Sequence, residues 1–148
     1  MSEVLVETSP ETVVSAVLRQ LNEGQIESAA SSFTADFHFE DHGIDLEFTD
    51  KNRLTEFFRK ARELYPDYFV RANRIFVSGE DVIIQWTLQV TFNEPFYAGL
   101  TRSIPISLPG VSIVQINNGK IAEWADYYDG LNARRTALAA HFAEWIEY

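Results

Sequence analysis

From Val82 to Phe92 the chain alternates with a period of two. Val82, Ile84, Trp86, Leu88, Val90 and Phe92 fall on one face, and Ile83, Gln85, Thr87, Gln89 and Thr91 on the other. Only an extended backbone sorts side chains in this way, so the stretch is a strand with one face buried, and a sheet has to be built around it. A second β signal follows in Val111 to Gly130, VSIVQINNGKIAEWADYYDG. Asn117-Asn118-Gly119 tolerates the positive φ of a tight connection, and the runs on either side are rich in β-branched and aromatic residues, which predicts a hairpin. Past the turn, parity assigns Ile121, Glu123, Ala125, Tyr127 and Asp129 to one face and Ala122, Trp124, Asp126 and Tyr128 to the other. Asp126 is the odd member of its set. With Trp and Tyr two residues away on either side, it sits either at a wet sheet edge or in an apolar cavity, where desolvation raises its pKa and suits it to acid or base work.

The remaining elements fit around these strands. Ser9-Pro10-Glu11 is a helix start, and Val13, Val14, Val17, Leu18 and Leu21 recur at helical spacing until Asn22-Glu23-Gly24 ends the run. Residues 26–33 read as a second, short helix. Phe37 to Asp41 alternates as a strand that turns Phe37, Phe39 and Asp41 inward and His38, Glu40 and His42 outward. Thr49-Asp50 caps a third helix whose Leu54, Phe57, Phe58, Ala61, Leu64 and Tyr65 form an apolar stripe, and Pro66 stops it. Tyr68 to Ser78 is a further strand. The segment 93–109 holds three prolines and the run FYAGL, which predicts a loop or short edge strand over a cavity mouth. Residues 131–148 predict a C-terminal helix, and residues 1–8 a flexible tail. This order argues an α+β domain with helices packed on the concave face of a strongly curved antiparallel sheet.

With 148 residues, 46% of them apolar, the chain suits one domain spanning residues 1–148. Eleven Phe, six Tyr and three Trp exceed what a minimal core needs and leave rings to line a cavity. The lack of cysteine excludes a disulfide scaffold, Cys-ligated zinc, iron–sulfur clusters and a thiol nucleophile. A net charge of -10 opposes nucleic acid and anionic membrane surfaces. Neither a secretory leader nor a spanning segment is visible, so a soluble cytoplasmic protein is expected. No phosphate-binding glycine loop, nucleophile elbow or HExxH appears, and no cofactor is expected.

The GKI turn followed by EWADYYD resembles the closing strands of the SnoaL-like polyketide cyclases and their relatives in the nuclear transport factor 2-like superfamily, among them ketosteroid isomerase and limonene-epoxide hydrolase. That resemblance implies a cone-shaped single domain with a pocket between helices and sheet, and commonly a homodimer formed through the second sheet face. Leu21 to Gly43 resembles the start of ketosteroid isomerase and places Asp41 at the general base. The isomerase's oxyanion-hole tyrosine falls at Val17 and its protonated aspartate near Ser112. Resemblance to the epoxide hydrolase places its catalytic aspartate at Asp126, whereas the arginine and second aspartate which that enzyme carries on a preceding strand have no counterpart in the uncharged stretch from Ile83 to Phe92.

The reading is therefore a small-molecule-binding protein, an isomerase, cyclase or hydrolase acting on an apolar oxygenated substrate. Asp41 or Asp126 would be the general acid or base, and Trp86, Trp124, Tyr128, Phe39 and Phe57 the candidate walls. The alternative is a non-catalytic ligand-binding or dimerisation module of the same fold. His38, Glu40 and His42 could hold a metal by spacing, but three polar residues opposite two phenylalanines read first as a solvent face, and no metal site is expected.

Overall fold

The computed structural model of the protein describes residues 9–92 and 103–130. The predicted tail, the FYAGL run and the C-terminal helix lie outside these residues. The elements run α1 (Pro10–Glu23), α2 (Ile26–Ser31), β1 (Phe33–Asp41), β2 (Leu46–Phe48), α3 (Lys51–Leu64), β3 (Phe69–Ser78), β4 (Asp81–Phe92), β5 (Ile104–Asn117) and β6 (Lys120–Tyr128).

The first and third helices begin where their sequences dictate. Ser9 accepts from the Thr12 amide ahead of Pro10, and Gly24 closes α1 at φ 77°, a left-handed conformation that glycine adopts without strain. Val13, Val14, Val17, Leu18 and Leu21 are buried as their spacing requires. Asp50 caps α3 by accepting from the amides of Asn52 and Arg53. Of its predicted stripe Leu54 and Phe58 are buried, whereas Leu64 is 57% exposed because it sits on the last turn.

The described strands form one open six-stranded sheet in the order β2-β1-β6-β5-β4-β3, antiparallel throughout except where β1 runs parallel to β6. The described helices pack on one side, in an α+β arrangement. The face of β4 predicted to be buried is so at Val82, Ile84, Trp86 and Val90, and Leu88 packs against the core. The β5–β6 hairpin turns through Asn118 at φ 51° and Gly119 at φ 79°.

Four local expectations need correction. The second predicted helix stops at Ser31, and β1 begins at Phe33, whose ring is fully buried against Phe37, Phe39, Phe58 and Trp124. β2 has only three residues, too few to show a period, and was not foreseen. Residues 104–109, part of a segment expected as a loop or short edge strand, belong to the fourteen-residue β5 and pair with β4. Their prolines are tolerated because β6 pairs with β5 only from Gly110 onward, so that no described strand lies on the other edge of this end of β5. Finally, Ile121 lies on the inner face with Trp124 instead of sharing a face with Glu123. Gln115 pairs with Glu123 but Ile116 with Ile121, so Ala122 is an extra residue in β6 and inverts the parity before it.

Candidate functional site

A cavity of about 450 Å³ lies between the helices and the inner face of the sheet. All seven residues singled out from the sequence line it: Asp41, Asp126, Trp86, Trp124, Tyr128, Phe39 and Phe57. Asp129, three residues past Asp126, is exposed and is not among the lining residues, and His38, Glu40 and His42 point to the other side.

Strand register assembles the polar part. Asp41 at the end of β1 is the register partner of Asp126 on β6. Asp126 pairs across the antiparallel ladder with Ser112 on β5, and Ser112 with Ile84 on β4. Neighbours in a row of this kind point to the same face, so one row carries two carboxylates and a hydroxyl into a mostly apolar chamber.

The aspartates are held differently. Oδ1 of Asp126 accepts from the Ser112 hydroxyl and, at 2.7 Å, from the indole N–H of Trp124. Ser112 is itself buried and accepts from the indole N–H of Trp86 at 2.8 Å, so the chain of donors runs from Trp86 through Ser112 to Asp126. Both donors use the same oxygen, which leaves Oδ2 as the atom that takes up or releases the proton. Burial pushes the Asp126 carboxyl up to about 7, and the Asp41 charge adds to the shift, outweighing the bonds from Ser112 and Trp124 that stabilise the anion. Asp41 is 5% exposed. Its Oδ1 accepts from the amides of Gly43 and Ile44 at 3.0 and 3.1 Å and its Oδ2 from the Tyr128 hydroxyl at 3.1 Å. Burial raises its pKa as well, but these three donors work against the shift.

The walls are set by close approach. A Cβ on Gly110 would run into the Trp86 ring, and one on Gly43 into the ring of Tyr128. These two glycines let the aromatic rings lie flat on the backbone. Phe39 and Phe57 meet at 5.9 Å between ring centres and close the side toward α3. Val17 lines the cavity where the isomerase comparison expected a donor, and contributes only a methyl surface.

Sequence reasoning missed two polar groups. Ser112 was noted only as a position of resemblance, although a serine between Gly110 and Val114 on a face of apolar side chains is a parity signal for a buried hydroxyl. Tyr68 also lines the cavity, and burial together with Asp126 and Asp41 raises its pKa, so it stays a neutral hydrogen-bonding group. It had been assigned only to the start of a strand.

A model of the SnoaL-like domain matches residues 14–124. No curated protein matches the chain. Several solved structures do. A protein from Jannaschia sp. CCS1, provisionally described as a SnoaL-like polyketide cyclase, is 18% identical with a TM-score of 0.75, covering 94% of this chain and 98% of that one. An LEH-like epoxide hydrolase from M. tuberculosis is 18% identical with a TM-score of 0.70, over 93% and 95% of the two chains. A protein from Catenulispora acidiphila with a ketosteroid isomerase-like fold, in complex with trimethylamine, is 16% identical with a TM-score of 0.73, over 84% and 91%. At these identities the likeness is one of fold.

Proposed function

Since the chain belongs to the SnoaL-like domain family, within a fold whose members differ in chemistry, we propose from its own side chains that it binds a small, largely apolar, oxygen-bearing molecule and moves a proton on it through Asp126. The observation that carries this reading is the carboxyl of Asp126: one oxygen fixed by two donors, the other available, and a pKa of about 7 in an apolar chamber. A group so poised is present in both protonation states near neutral pH, as an acid or base of this kind requires. Burial is what chiefly keeps Asp126 from ionising early, and Asp41, anchored by two amides and Tyr128, adds to it when charged. Tyr68 offers a hydroxyl to a substrate oxygen.

A binding module without chemistry is the competing reading, favoured by the absence of any charged side chain on β4 between Ile83 and Thr91 and by Val17 at the cavity wall. Carboxyl-labelled NMR titration and turnover of a panel of cyclic ketones and epoxides separate the two. A midpoint near 7 for Asp126, with turnover that Asp126→Asn abolishes, is the expected result. An ordinary midpoint near ~4, or binding without turnover across the panel, supports the module instead.

We further propose that the chain works as a homodimer. Phe76, Ile83, Ile113 and Ala125 are successive register partners across the outer face of β3 to β6, and the first three are 41–49% exposed. A second copy covers such a row. No described helix is long and apolar enough to cross a membrane. The cysteine-free, acidic composition supports a reducing cytoplasmic setting, with neither nucleic acid nor membrane as partner.

A further inference from the structure

On the outer face, away from the cavity, the β1–β2 ladder gathers a second polar cluster. Glu40 and Glu47 are direct antiparallel partners, and His38 precedes Glu40 by two residues, so all three side chains leave the same face. His38 Nε2 is 2.5 Å from Glu47 Oε1 and 3.6 Å from Glu40 Oε1, and the ligating atoms of the three residues lie within 4.8 Å of one another. The other oxygen of Glu40 is 2.6 Å from Nε2 of His42, whose ring stacks on Tyr127 at 4.5 Å. On the opposite flank Glu123 is the register partner of His38, and His38, Glu40, Glu123 and Asp81 share a hollow of about 250 Å³.

Carboxylates directly opposite each other on neighbouring strands repel, and here Glu123 adds a third nearby. Half-exposed His–Glu pairs return about 0 to 1 kcal/mol each, comparable with the repulsion, and do so as ion pairs only while the imidazoles carry a second proton. A cation between them removes the repulsion. The donor set, one imidazole nitrogen with carboxylate oxygens, suits zinc, cobalt or nickel better than magnesium or calcium, which take oxygen alone.

We propose that His38, Glu40 and Glu47 bind a divalent transition-metal ion of the zinc type. His38 binds through Nε2 and the two glutamates through Oε1, with His42 steadying Glu40 from outside and the remaining position open to water. The site is independent of the cavity chemistry and stands whether or not that chemistry exists.

Calorimetric titration of the full chain, stripped with chelator, with zinc chloride and separately with magnesium chloride tests it. The expected result is saturable binding of one zinc per chain with none for magnesium. His38→Ala and Glu47→Gln each weaken zinc by about tenfold or more, and His42→Ala by about tenfold, as loss of an outer partner does. Glu27→Gln, a control at an exposed carboxylate on α2, stays within about twofold. Glu47 is 64% exposed, so its glutamine variant keeps the fold even if a change at His38 does not. Absence of saturable zinc binding, or zinc binding unchanged in both His38→Ala and Glu47→Gln, overturns the assignment.

Discussion

Replacing Asp126 by asparagine removes a titrating group and keeps its shape, since the amide oxygen can accept the same bonds from Ser112 and Trp124. The native carboxyl has a pKa of about 7, against ~3.9 in an unfolded chain. Between those values the folded protein holds a proton that the unfolded chain has released, so wild-type stability falls as pH rises from about 4 to about 7 and is level above that. Asparagine does not titrate. Taking about 1.36 kcal/mol per unit over the two units above about pH 5, the variant gains about 3 kcal/mol on the wild type by about pH 8, and roughly half of that once water in the cavity screens the charge. Urea denaturation at about pH 5 and about pH 8, followed by the fluorescence of Trp86 and Trp124, measures the gap directly. A gap that stays constant within about 0.5 kcal/mol, or a wild type that gains on the variant as pH rises, would refute the claim that Asp126 is a desolvated acid.

Ser112→Ala removes the group between Trp86 and Asp126. It should cost about 1 to 3 kcal/mol through the unpaired indole N–H, read by urea denaturation, and should move the Asp126 NMR midpoint further up, because a donor to the anion is lost. Gly110→Ala should destabilise by about 1 to 3 kcal/mol, since its Cβ meets the Trp86 ring; an unchanged melting temperature and near-UV spectrum would show that Trp86 moves aside freely. Ile113→Lys in the centre of the outer apolar row should convert a dimer to a monomer in light scattering without loss of secondary structure, and a variant that stays dimeric would move the interface elsewhere.

Local periodicity carried much of the fold and stopped where the chain departs from it. The alternation from Val82 onward located β4 and its buried face, and capping at Ser9, Gly24 and Asp50 set the ends of helices. Parity aimed Asp41 and Asp126 inward. It placed both in one apolar interior but gave no hint that they are direct register partners, because parallel pairing of β1 with β6 joins segments far apart in sequence and leaves no local trace. A single extra residue, Ala122, defeated the parity of Ile121, since a bulge changes the phase without changing composition. Residues 104–109 read as a loop or short edge strand because proline argues against a central strand, and only the sheet order reveals that they extend β5 where no described strand pairs on its other side. The cluster of His38 and Glu40 was visible as a spacing, but its third member, Glu47, sits on a strand too short to show a pattern.

The parallel contact between β1 and β6 also bears on how the chain reaches its native state. It closes a loop that spans most of the described sequence, so it carries the largest closure entropy of any strand pairing among the described residues and contributes most to contact order. The same closure brings the Asp41 carboxyl beside that of Asp126. Above neutral pH the step that completes the sheet must therefore bring two negative charges together out of water, whereas in mild acid it brings at least one neutral partner. The proton that tunes the site thus also eases the docking of β1 onto β6, and refolding should quicken as the pH is lowered from about 8 to about 6, a trend that stopped-flow tryptophan fluorescence reads and that the Asp126→Asn variant should lack.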